Sequence, residues 1–207
     1  MDNTLPLFGA PISWGIYNNI ITDEEKNYLH NLEMSRVNAG NGYQTTNKHV
    51  LDLPELSNLK DILTGYFLVY AHDVIGISRN VKFRMVTSWM NKHDKNDWAQ
   101  QHLHSNSLFT GVLYTQVDEN SGNIVFHSPL NNTNLIPSTI ELEMDTWNIF
   151  NSKTWSLTTH NNQLVFFPAT MLHSVTQNNS GIDRYSLAFN FFVEGTFGRT
   201  EETRLTL

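Results

Sequence analysis

The sequence predicts a mainly β protein of the mixed α/β class, a jelly roll or sandwich with helices packed against it from the N-terminal end. Hydrophobic periodicity is helical over the first 80 residues and alternates from residue 81 onward. The second section also divides into short strand-like runs joined by polar, asparagine-rich turns. With 207 residues, 40% hydrophobic and 12% aromatic, the chain has enough apolar material for a real core. The simplest organisation is one domain over 1–207, with a helical section at 1–80 and a jelly-roll core at 81–207.

Thr22-Asp23-Glu24-Glu25 has the reciprocal Thr/Glu spacing of a capping box, so a short helix is expected from there to about Met34. Residues 38–42 are asparagine- and glycine-rich and predict a loop leading into a short extended segment. Pro54 opens a second helix, because Leu56, Leu59, Ile62, Leu63, Tyr66, Phe67 and Tyr70 recur at steps of three and four on one face. Strands are expected at 81–90, 108–117, 123–127, 139–144, 155–157, 163–167 and 185–193, with turns at 120–122 and 178–181.

Composition narrows the function classes. A net charge of -7 without a basic stripe argues against nucleic acid as a partner. The absence of cysteine removes disulfides, thiolate metal sites and cysteine nucleophiles, so a metal must bind through His, carboxylate or water. No apolar run suggests a membrane partner, and the first eight residues lack signal-peptide character, so a cytoplasmic protein is expected. Homodimer formation is left open.

Nine histidines carry the functional content. On an extended chain His102 and His104 point to one face and can offer two adjacent metal ligands. The apolar run 164–167, the turn at Pro168 and His173 supply a third imidazole, and such a set suits iron, zinc or copper. Residues 92–97 read as a polar loop. Arg184 and Ser186 share a face at the start of the last long strand and offer a cation and a hydroxyl to a carboxylate. Asn190 lies in that strand among phenylalanines, where its amide needs partners and can orient a ligand or pin a loop. Trp89, Asn91 and Ser107 are expected to line or brace the pocket. His30, His49, His72, His93, His127 and His160 are assigned to structure or surface, and Asp94, Asp97, Asp118 and Glu119 to solvated loops.

Ser88-Trp89-Met90-Asn91, HLHSNSLFTGVLY (102–114), SGNIVFHSP (121–129), LVFFPATMLHSV (164–175) and RYSLAFNF (184–191) together resemble the iron(II)- and 2-oxoglutarate-dependent oxygenases. The similarity is greatest to a group of 2OG-Fe(II) oxygenases whose first metal motif is also H-x-H. LFGAPISWG (7–15) and the helical section extend it over most of the chain, and 131–162 is the least similar part. The resemblance implies a double-stranded β-helix of cupin-like jelly-roll form. It implies Fe(II) held by His102, His104 and His173, and 2-oxoglutarate whose far carboxylate meets Arg184 and Ser186, with Tyr114 as a further cosubstrate-binding residue; Asn190, from its place in the strand, is counted with them as a cosubstrate-binding candidate. It also implies O2 as second substrate and ascorbate as a candidate reductant. The reaction implied is decarboxylation of 2-oxoglutarate to succinate coupled to hydroxylation of a peptide side chain or a metabolite.

The superfamily's usual motif places a carboxylate where His104 stands. Three neutral imidazoles raise the site's charge and should bind the anionic cosubstrate no less well. A second alignment reads His104-Ser105-Asn106 as the motif, with Asn106 in the carboxylate position. Two other functions remain open. One is a cupin-like three-histidine dioxygenase that works without 2-oxoglutarate and has no use for Arg184 and Ser186; the other is a non-catalytic jelly-roll binding module.

Overall fold

The structure, a computed structural model, describes residues 9–37, 42–128 and 140–207. Strand β1 (Ser13–Ile16) is followed by helix α1 (Asp23–His30), strands β2 (Met34–Arg36) and β3 (Tyr43–Thr45), and helix α2 (Ser57–Val69). The β core comprises β4 (Lys82–His93), β5 (Ala99–His102), β6 (Phe109–Gln116), β7 (Ile124–His127), β8 (Thr154–Leu157), β9 (Gln163–Pro168), β10 (His173–Val175) and β11 (Arg184–Glu194). Short strands β12 (Thr196–Phe197) and β13 (Leu205–Thr206) pair with each other near the C-terminal end. The large sheet has the order β1-β9-β6-β11-β4-β3-β2 and the small one β5-β10-β7-β8, with antiparallel pairing throughout.

The alternation of β11 explains the layering. Leu187, Phe189 and Phe191 enter the core that the large sheet shares with the helices, where Phe67 of α2 stacks on Phe191 at 3.7 Å. Leu59, Leu63 and Phe67 form the buried stripe of α2, as the three- and four-residue spacing requires. Gly111 of β6 lies opposite Phe189, whose ring leaves no room for a Cβ. The other face of β11 turns Arg184, Ser186, Ala188 and Asn190 toward the small sheet. There Val112, Tyr114, Ile124, Phe126, Val165 and Phe167 form a second apolar cluster. The two sheets therefore enclose the volume in which the site lies.

The capping box at Thr22 forms as expected, with Thr22 Oγ1 accepting from the Glu25 N–H at 3.1 Å and the Thr22 N–H donating to Glu25 Oε2 at 2.9 Å. The helix ends at His30 rather than Met34, because the Asn31 side chain donates to the Asn27 carbonyl at 2.7 Å and Met34 pairs with Thr45 in the sheet. The expected strand at 139–144 is not found. Thr139 lies outside the described residues, and 140–144 form no strand although Ile140 and Leu142 alternate, since both are exposed and no edge pairs with them. Of the expected loop at 38–42, residues 38–41 lie outside the described residues. The polar loop expected at 92–97 begins later, because β4 continues through Lys92 and His93. Asp97 is buried and ion-paired with Arg36, not solvated. Among the described residues no helix is long and apolar enough to cross a membrane.

Candidate active site

His173 of β10 is the direct register partner of His102 of β5, which places the two side chains as neighbours on one face with ring centroids 4.2 Å apart. His104 follows two residues after β5 ends. Its N–H donates to the Ala169 carbonyl at 3.0 Å, and Ser107 Oγ donates to its own carbonyl at 3.1 Å. These bonds fold the segment back, so the His104 ring lies 5.5 Å from His102 and 5.2 Å from His173. One nitrogen of each ring lies within 4.8 Å of the others.

Each Nδ1 has an oxygen partner. His102 Nδ1 is 2.8 Å from the Gln100 carbonyl, His173 Nδ1 2.9 Å from the Met171 carbonyl, and His104 Nδ1 2.6 Å from Asn190 Oδ1. With the proton on Nδ1 of each ring, the Nε2 lone pairs are left as ligands. Burial lowers the pKa of His173 to about 3 and of His104 to about 4, with the neighbouring His102 adding to both effects. Both rings are therefore neutral at physiological pH, and no proton has to leave before a metal binds. Three imidazoles converging in a pocket are a donor set suited to a mid-series transition ion.

A cleft of about 170 Å³ extends from this cluster between the sheets, lined by Trp89, Asn91, Tyr114, Arg184 and Ser186 among others. Arg184 is 2% exposed, and among the described residues no carboxylate forms an ion pair with it. Its guanidinium lies 5.1 Å from the centre of the Tyr114 ring, and Nη1 is 3.2 Å from His93 Nδ1. Its Nε is buried without a hydrogen-bond partner. Burial lowers the Arg184 pKa and raises that of Tyr114, and the attraction between the two opposes both shifts. A buried cation with an unsatisfied donor on a cleft wall is the complement of a carboxylate.

Comparison with known proteins agrees with this chemistry. The profile of the family described as "Putative 2OG-Fe(II) oxygenase" matches residues 87–190, half of the chain. The chain belongs to that family of oxygenases. Iron(II) and 2-oxoglutarate are the cofactors of this family. No curated protein sequence matches the chain. Among solved structures, the chain is similar to a 2OG-Fe(II) oxygenase family oxidoreductase from Burkholderia pseudomallei (TM-score 0.61, 12% identity, 87% of this chain and 83% of that one). It is also similar to the α-ketoglutarate-dependent epimerase SnoN of nogalamycin biosynthesis (0.60, 13%, 91% and 82%). A third similar structure is HygX from Streptomyces hygroscopicus with nickel and 2-oxoglutarate bound (0.58, 9%, 93% and 90%). At these identities the likeness is one of fold, the antiparallel jelly roll expected from the sequence.

In this oxygenase several residues stand elsewhere than the sequence suggested. Asn190, expected to touch the cosubstrate, lies behind His104 rather than on the cleft wall. Its Oδ1 accepts from His104 and, at 2.9 Å, from Thr110 Oγ1, while Nδ2 donates to Thr87 Oγ1 at 2.8 Å. Thr87 and Thr110 are its register partners on the two flanking strands, so three adjacent strands set the orientation of one imidazole. Asn106, the alternative ligand, is exposed in a turn with φ of 54°. His93, assigned to structure or surface, is buried against Arg184 and lines the cleft. Its signal was available, because Trp89, Asn91 and His93 continue the alternation of β4. Trp89 and Asn91 line the cleft, the indole N–H donating to Asn91 Oδ1 at 3.0 Å. His127 is engaged with Ser174 and Gln101.

Asn190→Ala would remove the acceptor that orients His104. Fe(II) affinity should fall 10- to 100-fold, the usual range for loss of an outer-shell partner. Asn190→Asp, which keeps an acceptor oxygen at that position, should retain most of it. Metal titration of the two variants separates orientation of the ligand from simple loss of packing.

Proposed function

We propose that the protein is an iron(II)- and 2-oxoglutarate-dependent hydroxylase built as one domain, in which His102, His104 and His173 hold the metal. Arg184 and Ser186 receive the C5 carboxylate of the cosubstrate, and Tyr114 braces Arg184. The observation that carries this reading is Arg184 itself, a fully buried guanidinium on the wall of the cleft that holds the histidine cluster, without a carboxylate partner among the described residues. A cupin-like dioxygenase acting without 2-oxoglutarate would leave that burial uncompensated.

Iron(II), when bound, would let O2 act as the oxidant with 2-oxoglutarate as the two-electron reductant, one oxygen atom going to succinate as CO2 leaves and the other to a C–H bond of the acceptor. The protein contributes position. The Nδ1 hydrogen bonds hold the three rings with Nε2 inward, and Arg184 fixes the far end of the cosubstrate.

Purified protein supplied with Fe(II), ascorbate and O2 should convert 2-oxoglutarate slowly to succinate even without its acceptor, and Zn(II) should inhibit by taking the same imidazoles without redox chemistry. Absence of succinate, together with O2 uptake on a substrate of three-histidine dioxygenases, would transfer the assignment to the cupin-like reading.

A further inference from the structure

We infer that His93 is a positioning residue. By accepting a hydrogen bond from Arg184 it fixes the direction of the guanidinium, and so sets the length of the dicarboxylate that the cleft accepts. The inference rests on the reading of Arg184 as the carboxylate clamp.

Arginine is a long, flexible side chain, and its fork is selective only when something holds it. Tyr114 lies against the guanidinium and attracts it. The bond from Nη1 to His93 Nδ1 at 3.2 Å adds a second, directional hold on the fork. A guanidinium only donates, so Nδ1 is the acceptor and the ring proton is on Nε2. The acceptor is itself rigid. His93 and Arg184 are register partners on β4 and β11, and the carbonyl of His93 accepts from Asn178 Nδ2 at 2.9 Å. Behind the ring lies Gly42, with φ of 80°, where the imidazole and the Lys92 carbonyl leave no space for a Cβ. His93 cannot swing away, so Nη1 stays directed at it and the unpartnered Nε takes a fixed direction. His104 is bonded to Asn190 of β11, the strand that begins at Arg184, so the histidine cluster and the clamp are tied to one strand at a set separation. A fixed separation with a fixed fork discriminates between dicarboxylates that differ by one methylene.

The test is an anaerobic titration of the Fe(II) protein with 2-oxoglutarate, oxaloacetate and 2-oxoadipate, followed by the weak visible charge-transfer band and by calorimetry. His93→Leu should weaken 2-oxoglutarate binding about tenfold, the scale of one hydrogen bond to a charged group. Its preference for 2-oxoglutarate over 2-oxoadipate should fall by a similar factor while Fe(II) affinity holds. His93→Asn, whose amide oxygen can take the place of Nδ1, should restore both properties. His93→Ala serves in place of the leucine variant if that one does not fold. Unchanged affinity and unchanged chain-length preference in the leucine or alanine variant would overturn the inference, as would failure of asparagine to rescue. Should wild type bind no 2-oxoglutarate, the cosubstrate reading itself falls; wild-type binding with indifferent variants removes only the role of His93.

Discussion

His173→Ala should abolish succinate formation and lower Fe(II) affinity by more than about a hundredfold, since loss of outer-shell partners alone costs up to that much. The effect is expected to be larger than that of any substitution outside the cluster, because only three imidazoles converge there and His173 touches both of the others. The substitution should not unfold the chain. β10 is held by backbone pairing to both β5 and β7, and the lost side-chain bond is a local one to the Met171 carbonyl. The control is His160→Ala, an exposed histidine outside the cluster, which should turn over 2-oxoglutarate as wild type does. Equal succinate from wild type and His173→Ala would mean that the three rings do not hold the catalytic metal.

The same cluster shows how far sequence reading reaches. The pairing of His102 with His104 follows from spacing, because two side chains two residues apart on extended backbone share a face. The position of His173 opposite His102 depends on the register between β5 and β10, and register is a property of two distant segments that neither encodes alone. The strands β4, β6 and β11 are legible because each has one face in the helical core and one in the cleft, which writes a period of two into the chain. Alternation does not suffice by itself. Residues 140–144 alternate too, yet no neighbouring edge satisfies their backbone and they form no strand. Neither the partner of His93, assigned to structure or surface, nor the burial of Asp97, expected to be solvated, is written in its own segment, because a polar residue near a loop looks solvated until its partner is known. Those partners, Arg184 and Arg36, are 91 and 61 residues away in sequence.

Arg184→Met is expected to separate stability from function. The guanidinium is buried with an unsatisfied Nε and no carboxylate partner among the described residues, so in the ligand-free protein it costs folding free energy that an apolar side chain of similar length would not. Methionine gives up the bond to His93 and the contact with the Tyr114 face, each modest beside the desolvation of a cation. Denaturant unfolding of the ligand-free variant should therefore show a gain of about 1 kcal/mol, the lower end of what replacing buried charge by apolar groups yields. Affinity for 2-oxoglutarate should fall by about a hundredfold or more, because a charge-assisted, two-pronged contact to the C5 carboxylate is lost. Fe(II) binding should be unaffected, since the guanidinium is held by His93 and Tyr114 and not by a histidine of the cluster. A variant that loses both stability and cosubstrate binding would show instead that Arg184 is a structural cation satisfied by His93 and Tyr114. A variant that keeps 2-oxoglutarate affinity would place the carboxylate site elsewhere in the cleft. Stabilisation combined with loss of binding is the signature of a residue kept in the core for its ligand, at the expense of the fold that carries it.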